Sequence, residues 1–442
     1  MQVKTKLLLS AIAVASTLTT SAAVAQAKEQ YIGLPSYRVG AYAAGGSGIY
    51  GGWIDYMSLI NETGGVNGVK LTWDECETEY NNARGVECYE RMKKKGDLAN
   101  TVFQPLSTGI TYAVIDKVAQ DKVPMVTIGY GRTDASDGRV FPWVFPLLTN
   151  YWSQNTAKIK FIGQREGGMD KLKGKKIVHI YHDSAYGKET IPLLDAQSKK
   201  YGFSVTHIPV AHPGNEQQSQ WLKVRQEKPD WVILRGWGVM NPTAIKAAAK
   251  IGFPRDKIVG VWWAGAEEDT IPAGDAAKGF IAAGFNVAGA NYPVVKSIQD
   301  NVYKKNKGNM EDKARIGSVY YNRGVVHGII TVEAIRTAQA KYGKGQVMTG
   351  EQMRWGFENL NIDAKRLKEL GAEGFMPDLK VTCLDHEGSG KVKFQQWDGK
   401  QWKVISDWID ADKELVRPMI EESAAKYAKE KGITPRDCSK EG

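Results

Sequence analysis

Residues that could bind a ligand are easier to find in this chain than residues that could catalyse. The stretch Val259–Gly265 reads VGVWWAG, so the adjacent Trp262 and Trp263 stand where an apolar run ends. Tyr50, Tyr130, Tyr186 and Trp237 stand beside glycines, three of them just after apolar runs. Rings delivered to one place can stack on a planar or hydrophobic group, or cage a quaternary ammonium by cation–π attraction. Pro105–Gly109 adds Ser107 and Thr108 between an extended run and a helical one. Backbone N–H groups at a helix start, with two hydroxyls beside them, suit a carboxylate. The same pattern also serves as a plain N-cap.

Catalytic signatures are incomplete. Gly45-Gly-Ser47-Gly lacks the last glycine of a nucleophile elbow, and Gly388-Ser-Gly-Lys391 lacks the leading glycine of a phosphate loop. Gly129-Tyr-Gly131 runs into Arg132-Thr133-Asp134, without the third glycine of a dinucleotide fingerprint. The six histidines are scattered, and His386-Glu387 is not followed by a second histidine four residues on. The residues therefore point to binding, with no metal and no cofactor.

Positioning such loops requires alternating strands and helices. Val69, Leu71 and Trp73 alternate as one strand face, and 101–104, 124–128, 176–181, 204–210, 230–234 and 257–263 read as further strands. Trp53, Met57 and Ile60 fall at helical spacing, as do Val114 and Val118, and 317–342 reads as one long helix. Ala43–Gly48 reads as a glycine-rich loop. Two α/β blocks, about 28–148 and 149–285, precede a helical segment and a β-meander with an Asp398-Gly399 turn. If the tryptophans end a strand, alternation sends one ring to the cleft and the other to the core.

Residues 1–27 form an export leader: Lys4 and Lys6, an apolar run from Leu7, then Ala25-Gln26-Ala27. No later apolar run approaches the ~20 residues that span a bilayer. Four cysteines suit an oxidising compartment. They allow three pairings; Cys76–Cys88 with Cys383–Cys438 is the expected one, and sequence alone does not choose it. The formal charge of +10 is spread among interleaved acids, which argues against nucleic acid as a partner.

Residues 60–70, INETGGVNGVK, carry a more specific pattern. Asp74-Glu75-Cys76, Lys122–Met125, Asp183–Gly187, Lys228-Pro-Asp230, Ala276–Gly279, Tyr320-Tyr321 and His386 follow in order. With these motifs the chain resembles the branched-chain amino acid binding proteins of ABC importers, the leucine-binding-protein family. The resemblance covers the mature chain. It implies a type I periplasmic binding-protein fold, in which two Rossmann-like α/β lobes joined by three crossings close over a ligand. Lobe one would be 28–148 plus 288–377, and lobe two 149–287 plus 378–442. It implies a periplasmic, monomeric protein that hands a small molecule to a membrane permease.

By the same resemblance Ser107 and Thr108 grip a ligand carboxylate, and Gly129 and Tyr130 add contacts from the next loop. Tyr50, Tyr186, Trp237 and Tyr321 would wall or close the pocket, and Arg323 would meet an anionic group or a surface acid. The amino-acid binders place a carboxylate for the ligand's ammonium where this chain has Trp262 or Trp263. Either Glu267 or Glu268 reaches back, or the ligand carries no α-ammonium, since a buried ammonium needs a charge partner. The expected cargo is an amino-acid-like, aromatic or hydrophobic carboxylate. Conventional branched-chain amino acids, a secreted α/β enzyme and a signalling receptor domain are the alternatives.

Overall fold

A computed structural model describes residues 29–96 and 98–440, so the leader expected at 1–27 lies outside the described residues. The first lobe is built on β1 (Glu29–Leu34), β2 (Lys70–Glu75), β3 (Met125–Val126) and β4 (Val144–Phe145). β1 pairs in parallel with β2 and β3 with β4, and single bridges tie Gly33 to Phe103 and Phe103 to Met125. The strand expected at 101–104 thus shrinks to one bridge. Side chains take over the bonds a ladder would make: Asn100 Oδ1 accepts from Gly33 N at 3.2 Å, and Thr101 Oγ1 donates to Tyr31 O at 3.2 Å.

The second lobe carries β5 (Lys176–His182), β6 (Ser204–Val210), β7 (Trp231–Arg235), β8 (Ile258–Gly260) and β9 (Ile281–Gly284). A minor antiparallel pair, β10 (Asn361–Ile362) and β11 (Leu379–Lys380), precedes β12 (Lys391–Trp397), β13 (Trp402–Val404) and β14 (Ile409–Asp410). The large sheet runs β13-β12-β9-β8-β7-β5-β6, with β14 on β12. β5 to β9 are parallel, while β12 is antiparallel to β9, β13 and β14. All five residues of β7 are buried, as expected for a parallel strand covered on both faces.

Ala43–Glu62 is helix from its first residue, where the glycine-rich sequence predicts a loop over Ala43–Gly48. The glycines serve packing. A Cβ on Gly52 would overlap Tyr321 O, and one on Gly324 would overlap Ile49 O, so this helix and Val319–Tyr342 touch backbone to backbone. The long helix starts where Ser318 caps it through Tyr321 N.

Both expected disulfides form, Cys76–Cys88 and Cys383–Cys438, each with Cα atoms 5.7 Å apart. The segment after 377 does not keep to one lobe. β12 to β14 join the second sheet, but helix Lys413–Lys431 lies over both lobes. Its Val416 and Ile420 pack with Trp152 and Leu193, and its Ala424, Tyr427 and Ala428 pack with Ile115, Val140 and Phe141.

The glycine seam makes a direct prediction. Gly324→Ala forces the two helices apart and should lower unfolding stability by about 1–3 kcal/mol. Urea unfolding reads this as a lower midpoint; an unchanged midpoint would contradict the close packing.

Candidate functional site

A small cavity lies where the lobes meet. Tyr80, Leu106 and Tyr130 wall it from the first lobe, and Tyr151, Tyr186, Trp237 and Trp263 from the second. Leu106, Tyr130, Tyr186, Trp237 and Trp263 all follow strands or the Phe103 bridge, at the carboxyl edges of parallel sheets where ligands of α/β folds are held. The lobes are shut, and only about 10 Å³ is open to the centre of a water molecule.

The tryptophan pair does not end a strand. β8 stops at Gly260, and Trp262–Ala264 form a 3₁₀ turn. The turn lets both indoles reach one acceptor: Trp262 Nε1 and Trp263 Nε1 donate to Gly129 O at 2.6 and 2.9 Å. Trp263 Nε1 also lies 2.8 Å from Tyr151 Oη. Trp263 faces the cavity, whereas Trp262 lies behind it, stacked on Tyr151 with centroids 5.7 Å apart and edge-on to Phe285. Gly129 has φ +74°, and a Cβ there would overlap Phe285, so glycine is required.

The acids that follow turn away from the cavity. Glu267 Oε2 accepts from Val319 N at 2.9 Å, at the start of the long helix. Glu268 pairs with Arg315. Asp269 accepts from Tyr320 Oη at 2.9 Å, Asn241 Nδ2 at 2.8 Å and Ala266 N at 2.9 Å. Burial pushes Glu267 and Asp269 up to about 7 each, the Glu268 carboxylate adding to the rise.

Positive charge stands behind the rings instead. Arg235 Cζ is 3.8 Å from the Tyr151 ring centroid and 4.5 Å from that of Tyr186. Arg323 Cζ is 4.6 Å from the Trp263 ring. Arg323 was expected beside a ligand or a surface acid, and it is neither exposed nor ion-paired: it is fully buried, bonding Asn286 Oδ1 at 3.0 Å and Trp262 O at 2.8 Å. Burial pulls it down to about 10, which leaves it charged at neutral pH.

Several polar atoms of the cavity walls are already paired, and one buried donor is not. Trp237 Nε1 is buried and has no partner among the described residues. The opposite edge of its ring lies against helix Ala43–Glu62, where a Cβ on Gly45 would sit 2.6 Å from Cη2. Tyr130 Oη is committed to Leu106 N and Val126 O, and Tyr186 Oη to Gly236 O.

Of the other expected residues, Ser107 Oγ caps its helix through Ile110 N at 3.4 Å, and Thr108 Oγ1 accepts from Gly131 N at 3.2 Å. Tyr50 and Tyr321 are buried away from the cavity, bonded to Pro35 O at 2.7 Å and Asp55 Oδ2 at 2.9 Å. Sequence reasoning missed Tyr80, Leu106 and Tyr151. Leu106 lay inside the quoted Pro105–Gly109 loop, and Tyr151 opens a helix capped by Asn150, so both had a signal. Tyr80, in an irregular turn at φ +59°, had none.

Further bonds seal the mouth. Tyr42 Oη from the first lobe lies 3.0 Å from His182 Nε2 and 2.9 Å from His212 Nε2, and its ring stacks on Trp237. Glu189 accepts from Thr133 N at 2.7 Å. Among the described residues no cluster of three metal-ligating side chains occurs.

This architecture has close counterparts. A sequence profile of the periplasmic binding protein family matches residues 29–401. A crystal structure described as an ABC transporter permease from the Pseudomonas fluorescens group is 50% identical, covering 93% of this chain and 99% of that one, with a TM-score of 0.88. A branched-chain amino acid ABC transporter protein from Thermus thermophilus with bound valine is 19% identical, covering 89% and 98%, TM-score 0.74. An R. palustris solute-binding protein in complex with benzoate is 16% identical, covering 87% and 98%, TM-score 0.67. No curated protein matches the chain by sequence. With two α/β lobes closed over a cavity and a family profile matched along most of its length, the chain belongs to the periplasmic binding protein family.

Proposed function

We propose that this protein is the solute-binding component of an ABC importer, and that its cargo is a small aromatic or hydrophobic carboxylate. One observation carries the choice of cargo: the cavity offers an unpartnered donor, Trp237 Nε1, and arginines behind its walls, while the nearby acids are spent elsewhere. An unpaired donor in a buried site favours a ligand that brings an acceptor, because leaving the donor unmade costs about 1–3 kcal/mol. The cations on the outer ring faces give the cavity a positive field. That field favours a carboxylate and opposes a quaternary ammonium, for which rings alone would have served. An α-amino acid would bury its ammonium without a partner. The benzoate-bound R. palustris protein shows that this fold is used for such a cargo elsewhere.

In this reading the protein works in the periplasm as a monomer, exported by the 1–27 leader, and delivers its solute to a membrane permease without chemical change. Closure joins Gly129 of one lobe to the tryptophan turn of the other, and Tyr42 to the two histidines.

Titration calorimetry across benzoate-type acids, hydrophobic aliphatic acids, leucine, valine and choline tests the cargo. The acids should bind and the zwitterions and choline should not; tight leucine or choline binding with no response to acids would sink the proposal. Trp237→Phe keeps the ring and removes the donor, and should weaken acid binding about fivefold to tenfold. Trp263→Ala should lose affinity, whereas Trp262→Ala should chiefly lower the melting temperature.

A pH dependence follows from closure. In an open clamp Glu267 and Asp269 return to ordinary carboxylate values near ~4, while the closed form holds them at about 7. The closed form therefore binds protons more tightly. Its advantage is complete below ~4 and is lost as pH rises through 7. Affinity should weaken about tenfold per group between pH 6 and 8. Burial lowers His182 to about 4, which acts with the opposite sign, below 6.5. Glu267→Gln should flatten the pH 6–8 slope and leave the acid-side limb in place; an unchanged slope would show that these carboxyls do not report closure.

A further inference from the structure

Behind the Tyr151 and Tyr186 wall, the second lobe encloses basic and polar side chains that the binding cavity does not use. Helix Tyr151–Glu166 lies across β7 with an anchor at each end. Tyr151 stacks over Arg235 at the strand's last residue, and Glu166 Oε1 accepts from Trp231 Nε1 at 2.8 Å at its first. Lys158 stands midway between these anchors, level with the middle of the strand. There Ile233 pairs with His179 of β5. Side chains alternate along a strand, so Trp231, Ile233 and Arg235 share a face with His179. Gln154 lies one turn before Lys158, on the same side of the helix.

Gln154, Lys158, His179 and Arg235 each have 0% exposure. Lys158 Nζ, Arg235 Nη1, His179 Nε2 and both polar atoms of Gln154 have no hydrogen-bond partner among the described residues. His179 Nδ1 lies 3.0 Å from His207 Nδ1, and His207 Nε2 lies 3.1 Å from Asp195. With both imidazoles neutral, the Asp195 contact places the His207 proton on Nε2 and leaves His179 Nε2 as an acceptor toward the lysine.

The half-buried carboxylate that acts on Arg235, Glu189, is held by Thr133 N at 2.7 Å and reached by Tyr112 Oη at 3.3 Å. Lys158 forms no ion pair among the described residues, and the charged group that acts on it is Arg235, a cation. Charging Lys158 beside Arg235 would bury two cations together, which is costly unless a counter-charge joins them.

We propose that Lys158, Arg235 and Gln154 form a buried site for a small monovalent anion of the halide class, separate from the solute cavity. Lys158 Nζ, Arg235 Nη1 and Gln154 Nε2 supply the donors, and His179 Nε2 accepts a hydrogen bond from the lysine. With no anion bound, burial and Arg235 drive the Lys158 amine toward its neutral form. Anion binding then draws one proton from solvent onto Lys158, so the site takes up an anion and a proton together. Because Arg235 underlies Tyr151 and Tyr186, the anion also holds the guanidinium against the rings that wall the cavity. The site is independent of which solute the cavity accepts.

The test uses the full mature chain without added solute. Melting temperatures are compared in sodium chloride, sodium bromide and sodium gluconate at equal sodium concentration. Both halides should raise the melting temperature saturably, by about 3 °C at a hundredfold excess over the dissociation constant. The rise should shrink as pH increases, since a proton is taken up. An anomalous difference map from crystals grown in bromide should show a peak between Lys158 and Arg235. Lys158→Met should abolish the halide effect. Equal melting in all three salts, a halide effect unchanged in Lys158→Met, or a bromide map with no peak at this position would each overturn the site. The bromide map keeps the question decidable if Lys158→Met does not fold.

Discussion

The carbonyl oxygen of Gly129 is the point on which the closed form turns. It belongs to the first lobe and accepts both indole N–H groups of the second. A buried carbonyl and two buried indoles would each lose a partner on opening, unless water replaced it. The backbone of the same turn is held by the long helix of the first lobe: Tyr320 Oη donates to Trp263 O at 2.9 Å, and Arg323 to Trp262 O. The turn that walls the cavity is therefore also what the first lobe grips. On the proposed function, filling the site and closing the clamp are one event.

That arrangement explains where the acids went. A residue after β8 cannot both bridge to Gly129 as an indole and present a carboxylate to a ligand. The carboxylates appear one turn later, where Glu267 satisfies Val319 N, a donor at the start of the long helix that has no partner within the helix. The acids thus strengthen the interlobe contact while leaving the cavity to the field of Arg235 and Arg323.

Much of this was legible in sequence because it rests on periodicity. β6 and the long helix sit where apolar spacing puts them, and the Asp398-Gly399 turn joins β12 to β13. What failed was local chemistry overriding pattern. Asn100 and Thr101 replace a ladder with side-chain bonds, and glycines in Ala43–Gly48 that read as a loop are there to admit close neighbours. The tryptophans read as a strand end because the run is apolar, but an indole needs its N–H satisfied. The 3₁₀ turn places both on one acceptor, which strand alternation would not allow. Tyr50 and Tyr321 flank the right loops, yet each phenol is committed to a partner behind the wall. No spacing rule reveals a committed hydroxyl.

The glycine-rich helix then connects packing to selectivity. Gly52 and Gly324 bring the first and the long helix into backbone contact, which sets the depth at which Tyr320 and Arg323 meet the tryptophan turn. On the cleft side of the same helix, Gly45 leaves room for the Trp237 ring to lie against bare backbone. Tyr42, immediately before the helix, stacks on that ring with planes 5° apart and fixes its tilt. With one edge against Gly45 and one face against Tyr42, the indole has little freedom. Its N–H is left unpartnered at the cavity wall. A side chain larger than glycine at position 45 would displace the ring and with it the donor. The glycines that read as a loop are thus what makes the donor rigid.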